Sequence, residues 1–293
     1  GEKMVMRVFD PDVLVRSFEQ MGFTNEDYQA WQRMTSHPHG IIFVTGPTGS
    51  GKTTTLYSTL KQLATSEVNV CTIEDPIEMV EPSFNQMQVQ ANIDVSFAQG
   101  VKAMLRQDPD IIMIGEIRDL ATADMAIQAA LTGHLVLSTL HTNDAPSSVT
   151  RLIDLGVPPY MISATVLGVM AQRLIRTLCP HCKQATETDV QAWEELVRPF
   201  KMKPPEKTYR PVGCLECRDT GYLGRVGVYE TMPLNTSLKN HISRGSELET
   251  LTRQALKNGM KPLRISGAMK VAKGLTTIEE VMRVTPSQDI LLG

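Results

Sequence analysis

The segment Gly46-Pro47-Thr48-Gly49-Ser50-Gly51-Lys52-Thr53 constrains this chain more than any other stretch of it. It follows the apolar run Gly40-Ile41-Ile42-Phe43-Val44 and leads into Thr54-Thr55-Leu56-Tyr57-Ser58-Thr59-Leu60, which reads as the start of a helix. A glycine-rich turn before an amphipathic helix is the plainer alternative. The strand–loop–helix context instead marks a phosphate-binding loop, in which backbone N–H groups turn inward on a phosphate and the helix N-terminus adds partial positive charge. In such a loop Lys52 bridges the β- and γ-phosphates and the Thr53 hydroxyl holds Mg2+. Residues 46–54, ending on Thr54, are expected to bind a nucleoside triphosphate.

From Gly40 to about Gln172 the pattern alternates strand-like and helix-like segments, which points to an α/β domain with a mostly parallel sheet. The strand candidates are 40–45, 68–73, 110–114 and 134–139. Each is continuously apolar or β-branched, as strands covered by helices on both faces must be. Two helices are expected upstream, from Pro11 to Met21 and from Asn25 to Met34, split by Gly22. The chain thus divides into an N-terminal remnant with linker helices at 1–35, a nucleotide-binding core at 36–177, a cysteine-bearing subdomain at 178–230 and a helical subdomain at 231–293. Two helix starts in the last part carry capping boxes, Ser246-Glu247-Leu248-Glu249 and Thr277-Ile278-Glu279-Glu280. Residues 201–207 read as an exposed loop.

A net charge of −3 argues against a chain whose main work is gripping a nucleic-acid backbone. No apolar run approaches the roughly 18 residues that span a bilayer, and no signal peptide is visible. Membrane association is therefore expected to run through a partner, with no direct insertion. The opening Gly-Glu-Lys-Met-Val-Met-Arg-Val-Phe is strand-like with no lead-in, so the chain reads as a piece of a longer protein.

Phosphoryl transfer to water needs a group that orients or deprotonates the water and a residue that helps hold the metal. Two strand ends supply carboxylates. One is Thr72-Ile73-Glu74-Asp75-Pro76-Ile77-Glu78; the other is Ile111-Ile112-Met113-Ile114-Gly115-Glu116. In parallel α/β sheets ligands sit at the carboxyl ends of the strands, so both clusters should face the loop. Glu116 and Glu78 are the candidates for the base, with Glu74 close to the nucleotide. Where a common form of the second motif has Asp, this chain has Gly115, so Glu116 is expected to serve both metal and water. Solvated acids at strand ends are the alternative for either cluster alone.

His134 and His141 bracket the strand at 134–139, where a ring N–H could sense the γ-phosphate. Either could instead be an ordinary, satisfied, partly buried histidine. Arg106, Arg118 and Arg151 are individually unremarkable surface charges, but arginine suits phosphates because its rigid fork stays charged.

Cys179-Pro180-His181-Cys182 and Cys214-Leu215-Glu216-Cys217 form two CxxC pairs separated by 31 residues. Two such knuckles supply the four thiolates of a closed structural zinc site, with a helix from Val190 to Val197 inserted between them. Two disulfides are the competing reading, and a reducing compartment disfavours them. His181 is a spare ligand.

Together these motifs resemble the secretion ATPase superfamily that powers type II secretion and type IV pilus assembly. The matching pieces are GPTGSGKTTTLY at 46–57, TIEDPIE at 72–78, LRQDPDIIMIGEIRD at 105–119 and LTGHLVLSTLHTNDA at 131–145. GMKPL and KVAKGLTTIEEVMRVT near the carboxyl end also match. The resemblance covers essentially the whole chain. It implies a RecA-like P-loop core that forms a homohexameric ring, hydrolyses ATP between subunits and works on the cytoplasmic side, held to an inner-membrane platform protein. It implies further that Arg7 reaches the nucleotide from the N-terminal domain, with Arg106, Arg118 and Arg151 supporting the ring or the site. The four cysteines favour the assembly and secretion ATPases over the retraction ATPases, and leave type II secretion and pilus assembly open. The rivals are a RecA-like nucleic-acid motor and a scaffold that binds nucleotide without turnover. The slightly acidic, 5% aromatic composition speaks against the first, and Lys52, Thr53, Glu78 and Glu116 against the second.

Overall fold

Apolar strands with no polar face must be covered on both sides, and here helices cover them. The computed structural model describes residues 15–287 together with Met4. The chain runs α1 (Asn25–Thr35), β1 (Gly40–Thr45), α2 (Lys52–Leu63), β2 (Val70–Glu74), β3 (Asn85–Gln88), α3 (Phe97–Met104), β4 (Ile111–Ile114), α4 (Leu120–Leu131), β5 (Leu135–Leu140), α5 (Pro146–Asp154), α6 (Pro159–Thr165) and β6 (Val166–Leu178). It continues through β7 (Gln184–Glu187), α7 (Val190–Val197), β8 (Lys207–Arg210), β9 (Tyr222–Pro233), α8 (Thr236–Ser243), α9 (Leu248–Lys257), α10 (Leu263–Ala272) and α11 (Ile278–Val284).

Seven strands form one sheet in the order β3-β2-β4-β5-β1-β6-β9. All neighbours are parallel except β6 and β9. Alternate residues of β1 divide between two cores. Ile42 and Val44 join Trp31 of α1 and Leu56, Tyr57 and Leu60 of α2; Ile41 and Phe43 join Val101 of α3, Ala126 of α4 and Leu152 of α5. Because the strands run parallel, Thr45, Glu74, Ile114 and Leu140 all end at one edge of the sheet, and the functional loops start there.

Two expectations need correction. Residues 15–21 form a bend and turns rather than the second half of a helix from Pro11, and residues 11–14 lie outside the described residues. The boundary at 230 cuts through β9, which pairs with β6 from Gly168↔Pro233 to Leu178↔Tyr222 and so belongs to the main sheet. The small two-stranded sheet β7–β8 and helix α7 form the true insertion between the cysteine pairs.

The capping boxes also form incompletely. Ser246 lies within 3.2 Å of the His241 ring and leaves α9 without a side-chain cap. Thr277 does cap α11 by accepting from Glu280 N, but the Glu280 carboxylate turns away to Arg176 and Arg283. Those arginines hold the buried Glu280 at a pKa of about 2 against the opposing effect of burial, and the network ties α11 to β6.

Candidate functional site

The loop between β1 and α2 closes tightly because two of its glycines sit where no side chain fits. Gly46 has φ 150° and Gly51 has φ 88°. A Cβ at Gly46 would lie 2.5 Å from the Gln172 carbonyl oxygen, and one at Gly51 would lie 2.7 Å from Gln172 Nε2. Gln172 itself fastens the loop: its Nε2 donates to Ser50 O at 2.7 Å, and its Oε1 accepts from Thr55 Oγ1 at 2.8 Å. Helix α2 then starts at Lys52 with no side-chain cap and no acid in its first turn, which leaves its N-terminus free to serve an anion.

Lys52 Nζ meanwhile donates to Gly46 O at 2.8 Å and Pro47 O at 3.0 Å, folded back over its own loop. Burial pushes its pKa down to about 8; Glu116 opposes that shift and Arg173 adds to it. A phosphate would replace the two carbonyls and favour the charged form.

Glu116 follows β4 at the same sheet edge. Its carboxylate accepts from Arg118 Nη2 at 2.5 Å and lies 3.2 Å from His141 Nε2. Burial works against its charge, but Arg118 and His141 outweigh that and hold its pKa below the usual range. It is therefore ionised at neutral pH, suited to orienting water or holding a cation rather than to donating a proton. His141 begins the loop after β5, and Thr142 of that loop donates its N–H to Thr45 Oγ1 at 2.9 Å, just before Gly46.

Glu74 ends β2 with both oxygens taken. Tyr57 donates to one at 2.5 Å, and Thr72 and Gln86 donate to the other at 2.6 and 3.1 Å. Buried and saturated, it ties α2 to the sheet and is not presented to a nucleotide, contrary to the sequence expectation. Glu78 lies half-buried in the loop that follows, which Tyr57 and Gln86 also grip through Met79 O.

Other expected residues stand apart from the loop within one chain. His134 lies before β5 at the amino end of the strands, its Nδ1 2.8 Å from Ala129 O and its carbonyl bound by Gly40 N–H. The length of β5, six residues at about 3.3 Å each, separates it from His141. Arg106 is exposed at that same amino-terminal edge, and Arg151 is exposed in the last turn of α5. Arg7 lies outside the described residues.

Three residues escaped the sequence reading: Gln172, Arg173 and Glu230. All are buried. Their signal is polar residues inside otherwise apolar strands, Met170-Ala171-Gln172-Arg173-Leu174 and Val228-Tyr229-Glu230. A cleft of about 200 Å³ beside the loop is lined by Gly51, Thr54, Gln172, Leu174, Gly224 and Tyr229 among others.

The second site is the cysteine cluster. Cys179, Cys182, Cys214 and Cys217 bring their sulfurs within 4.8 Å of one another. Three of the separations are 3.8 Å (Cys179–Cys214), 3.8 Å (Cys182–Cys217) and 3.7 Å (Cys214–Cys217). A disulfide requires about 2.05 Å. The edges of a tetrahedron with metal–sulfur arms of about 2.3 Å are about 3.8 Å long, so the four sulfurs fit a tetrahedral ion. Backbone N–H groups of Gly213, Cys214 and Gly221 point at the sulfurs of Cys182 and Cys217. Burial works against the Cys217 thiolate, yet those of Cys214 and Gly221 bring its pKa down to about 6.

Residues 1–283 match the family described as Type II/IV secretion system protein. The chain is 64% identical over 286 residues to the type IV pilus assembly ATPase TfpB of Acinetobacter baylyi, covering 98% of this chain and 49% of that protein. It is 46% identical over 285 residues to the type II secretion system ATPase E of Vibrio cholerae, covering 97% and 56%. Among solved structures, the pilus retraction motor PilT with bound ADP matches with a TM-score of 0.70 at 28% identity, over 97% of this chain and 70% of that one. The chain therefore spans about half the length of these two sequence relatives. No described helix is long and apolar enough to cross a membrane. From its phosphate loop to its helical carboxyl-terminal part, the chain belongs to the type II/IV secretion system protein family.

Proposed function

We propose that this chain is the ATP-hydrolysing part of a motor that drives type IV pilus assembly, acting as a homohexamer on the cytoplasmic side of the inner membrane through a platform protein. One observation carries the hydrolytic reading. An ionised Glu116, fixed by Arg118 and His141, acts electrostatically on Lys52 of the phosphate loop, so the loop and a water-orienting carboxylate share one sheet edge. The helix N-terminus and Lys52 would take the β- and γ-phosphates, Thr53 would hold Mg2+, and the cleft beside Thr54 would take the rest of the nucleotide. Glu78 is the second carboxylate at that edge. The 64% identity to a pilus assembly ATPase, against 46% to a type II secretion ATPase, supports pilus assembly over secretion.

Zinc is proposed for the four cysteines, as a structural ion with every coordination position filled by thiolate. Arg106 and Arg151, exposed and remote from the loop of their own chain, are proposed to act between subunits, as is Arg7. A site completed by a neighbour makes specific activity depend on protein concentration. Steady-state ATPase assays over a hundredfold concentration range should therefore show activity per chain rising and then levelling. Activity per chain that stays flat down to the dilute limit would contradict a shared site, and no turnover at any concentration would contradict hydrolysis.

A further inference from the structure

Arg173 and Glu230 are each 5% exposed, and such burial is costly for charged side chains unless they are held. They stand on neighbouring antiparallel strands and share a face of the sheet, since Glu230 pairs with Ala171, two residues before Arg173. They lie close enough to influence each other's charge, yet their described hydrogen bonds go to backbone instead. Arg173 Nη2 donates to Asn143 O at 2.7 Å and Nη1 to Gln172 O at 2.9 Å. Glu230 Oε1 accepts from Ala145 N at 2.7 Å and Oε2 from Leu263 N at 3.3 Å.

Asn143 and Ala145 belong to one short loop, residues 141–145, which a buried cation therefore grips by a carbonyl and a buried anion by an N–H. The start of that loop is His141, whose ring lies 3.2 Å from Glu116. Its near side is tied to the end of β1 through Thr142 and Thr45, one residue before the phosphate loop. Arg173 also reaches toward the loop: a Cβ placed on Gly46 would lie 3.1 Å from its Nη1. The second oxygen of Glu230 extends the same fastening to the first residue of α10 in the helical subdomain.

We propose that Arg173 and Glu230 are positioning residues for hydrolysis, pinning loop 141–145 so that His141 keeps Glu116 in line with the phosphate loop. Neither side chain needs to touch the nucleotide; both act through backbone. The inference rests on the reading that this site hydrolyses ATP. The test therefore begins with the unsubstituted chain, whose turnover decides that reading separately. It compares Arg173→Met, Arg173→Lys and Glu230→Gln, each measured per nucleotide-competent site titrated with a fluorescent ADP analogue.

The expected result is a kcat lowered on the order of tenfold in Arg173→Met and severalfold in Glu230→Gln, with KM changed less than threefold. Arg173→Lys should recover part of the loss, because an ammonium can still donate to one carbonyl. In a His141→Ala background the Arg173→Lys substitution should cost nothing further, since the residue it positions is gone. The proposal is overturned if the variants lose only thermal stability while kcat per competent site is unchanged, or if KM rises at constant kcat. It is equally overturned if the effects of Arg173→Lys and His141→Ala multiply independently. Should Arg173→Met fail to fold, the Arg173→Lys and His141→Ala cycle decides alone.

Discussion

The phosphate loop and the cysteine cluster are both short motifs readable in the sequence, yet they are built in opposite ways. The cysteine cluster is self-contained: its four sulfurs and the N–H groups that point at them come from residues 179–221. The phosphate loop is held from outside. Gln172 grips it from β6, Glu116 and His141 come from two further strand ends, and Arg173 and Glu230 pin the loop that carries His141. A closed site needs local geometry, whereas a site that must change partners during a reaction is assembled by distant strands. Damage to the first should stay local, and damage to the second should stop chemistry while the fold survives.

The largest effect should come from Lys52→Ala. It removes the ammonium proposed to meet the β- and γ-phosphates while alanine suits the first turn of a helix, so turnover should fall on the order of a hundredfold or more with little change in melting temperature. Metal content should stay at one ion per chain, and a variant that lost its metal as well would break the independence of the two regions.

Removing the metal is the converse experiment. Structural zinc contributes on the order of 10–16 kcal/mol in small peptides, so chelation should loosen the two cysteine knuckles, while α7, whose Trp193, Leu196 and Val197 are buried in the main core, should hold. The core should keep its shape, because its sheet buries its own apolar faces. Limited proteolysis should then cut first between Cys179 and Gly221. Cuts appearing first in α2 or β5 would show that the cluster supports the whole molecule.

The smallest effect concerns pH. In the free protein burial holds Lys52 near a pKa of about 8, and bound phosphate should raise it. Below that pH the lysine is charged in both states and nucleotide affinity should be flat. Above it the free protein has lost a proton that binding must restore, so affinity should fall by up to about tenfold per pH unit. Affinity constant from pH 7 to 9.5 would mean that Lys52 takes up no proton on binding, and affinity rising with pH would reverse the sign of the linkage.

The sequence made the four central strands, α7 and both motifs legible, because each is local: an apolar run, a helical pattern, a glycine or cysteine spacing. Strand β3, Asn-Gln-Met-Gln, escaped because an edge strand need not be apolar. The membership of β9 in the main sheet escaped because antiparallel pairing to β6 across a long insertion leaves no local mark. Glu74 was misread for a related reason. A carboxylate at a strand end looks available until Tyr57, Thr72 and Gln86 are seen to occupy it. His134 shows the same limit, since one strand separates two histidines that the sequence sets seven residues apart.

In the proposed mechanism Glu116, ionised and held by Arg118 and His141, is the carboxylate that orients the attacking water at the phosphate loop. Glu116→Gln keeps the shape and removes the charge. Mixed with magnesium and radiolabelled ATP and then freed of excess nucleotide, that variant should retain ATP uncleaved, while the unsubstituted chain yields ADP. If Glu116→Gln instead binds ATP poorly and hydrolyses what it binds, Glu116 serves mainly the metal, and Glu78 takes its place as the water-activating residue.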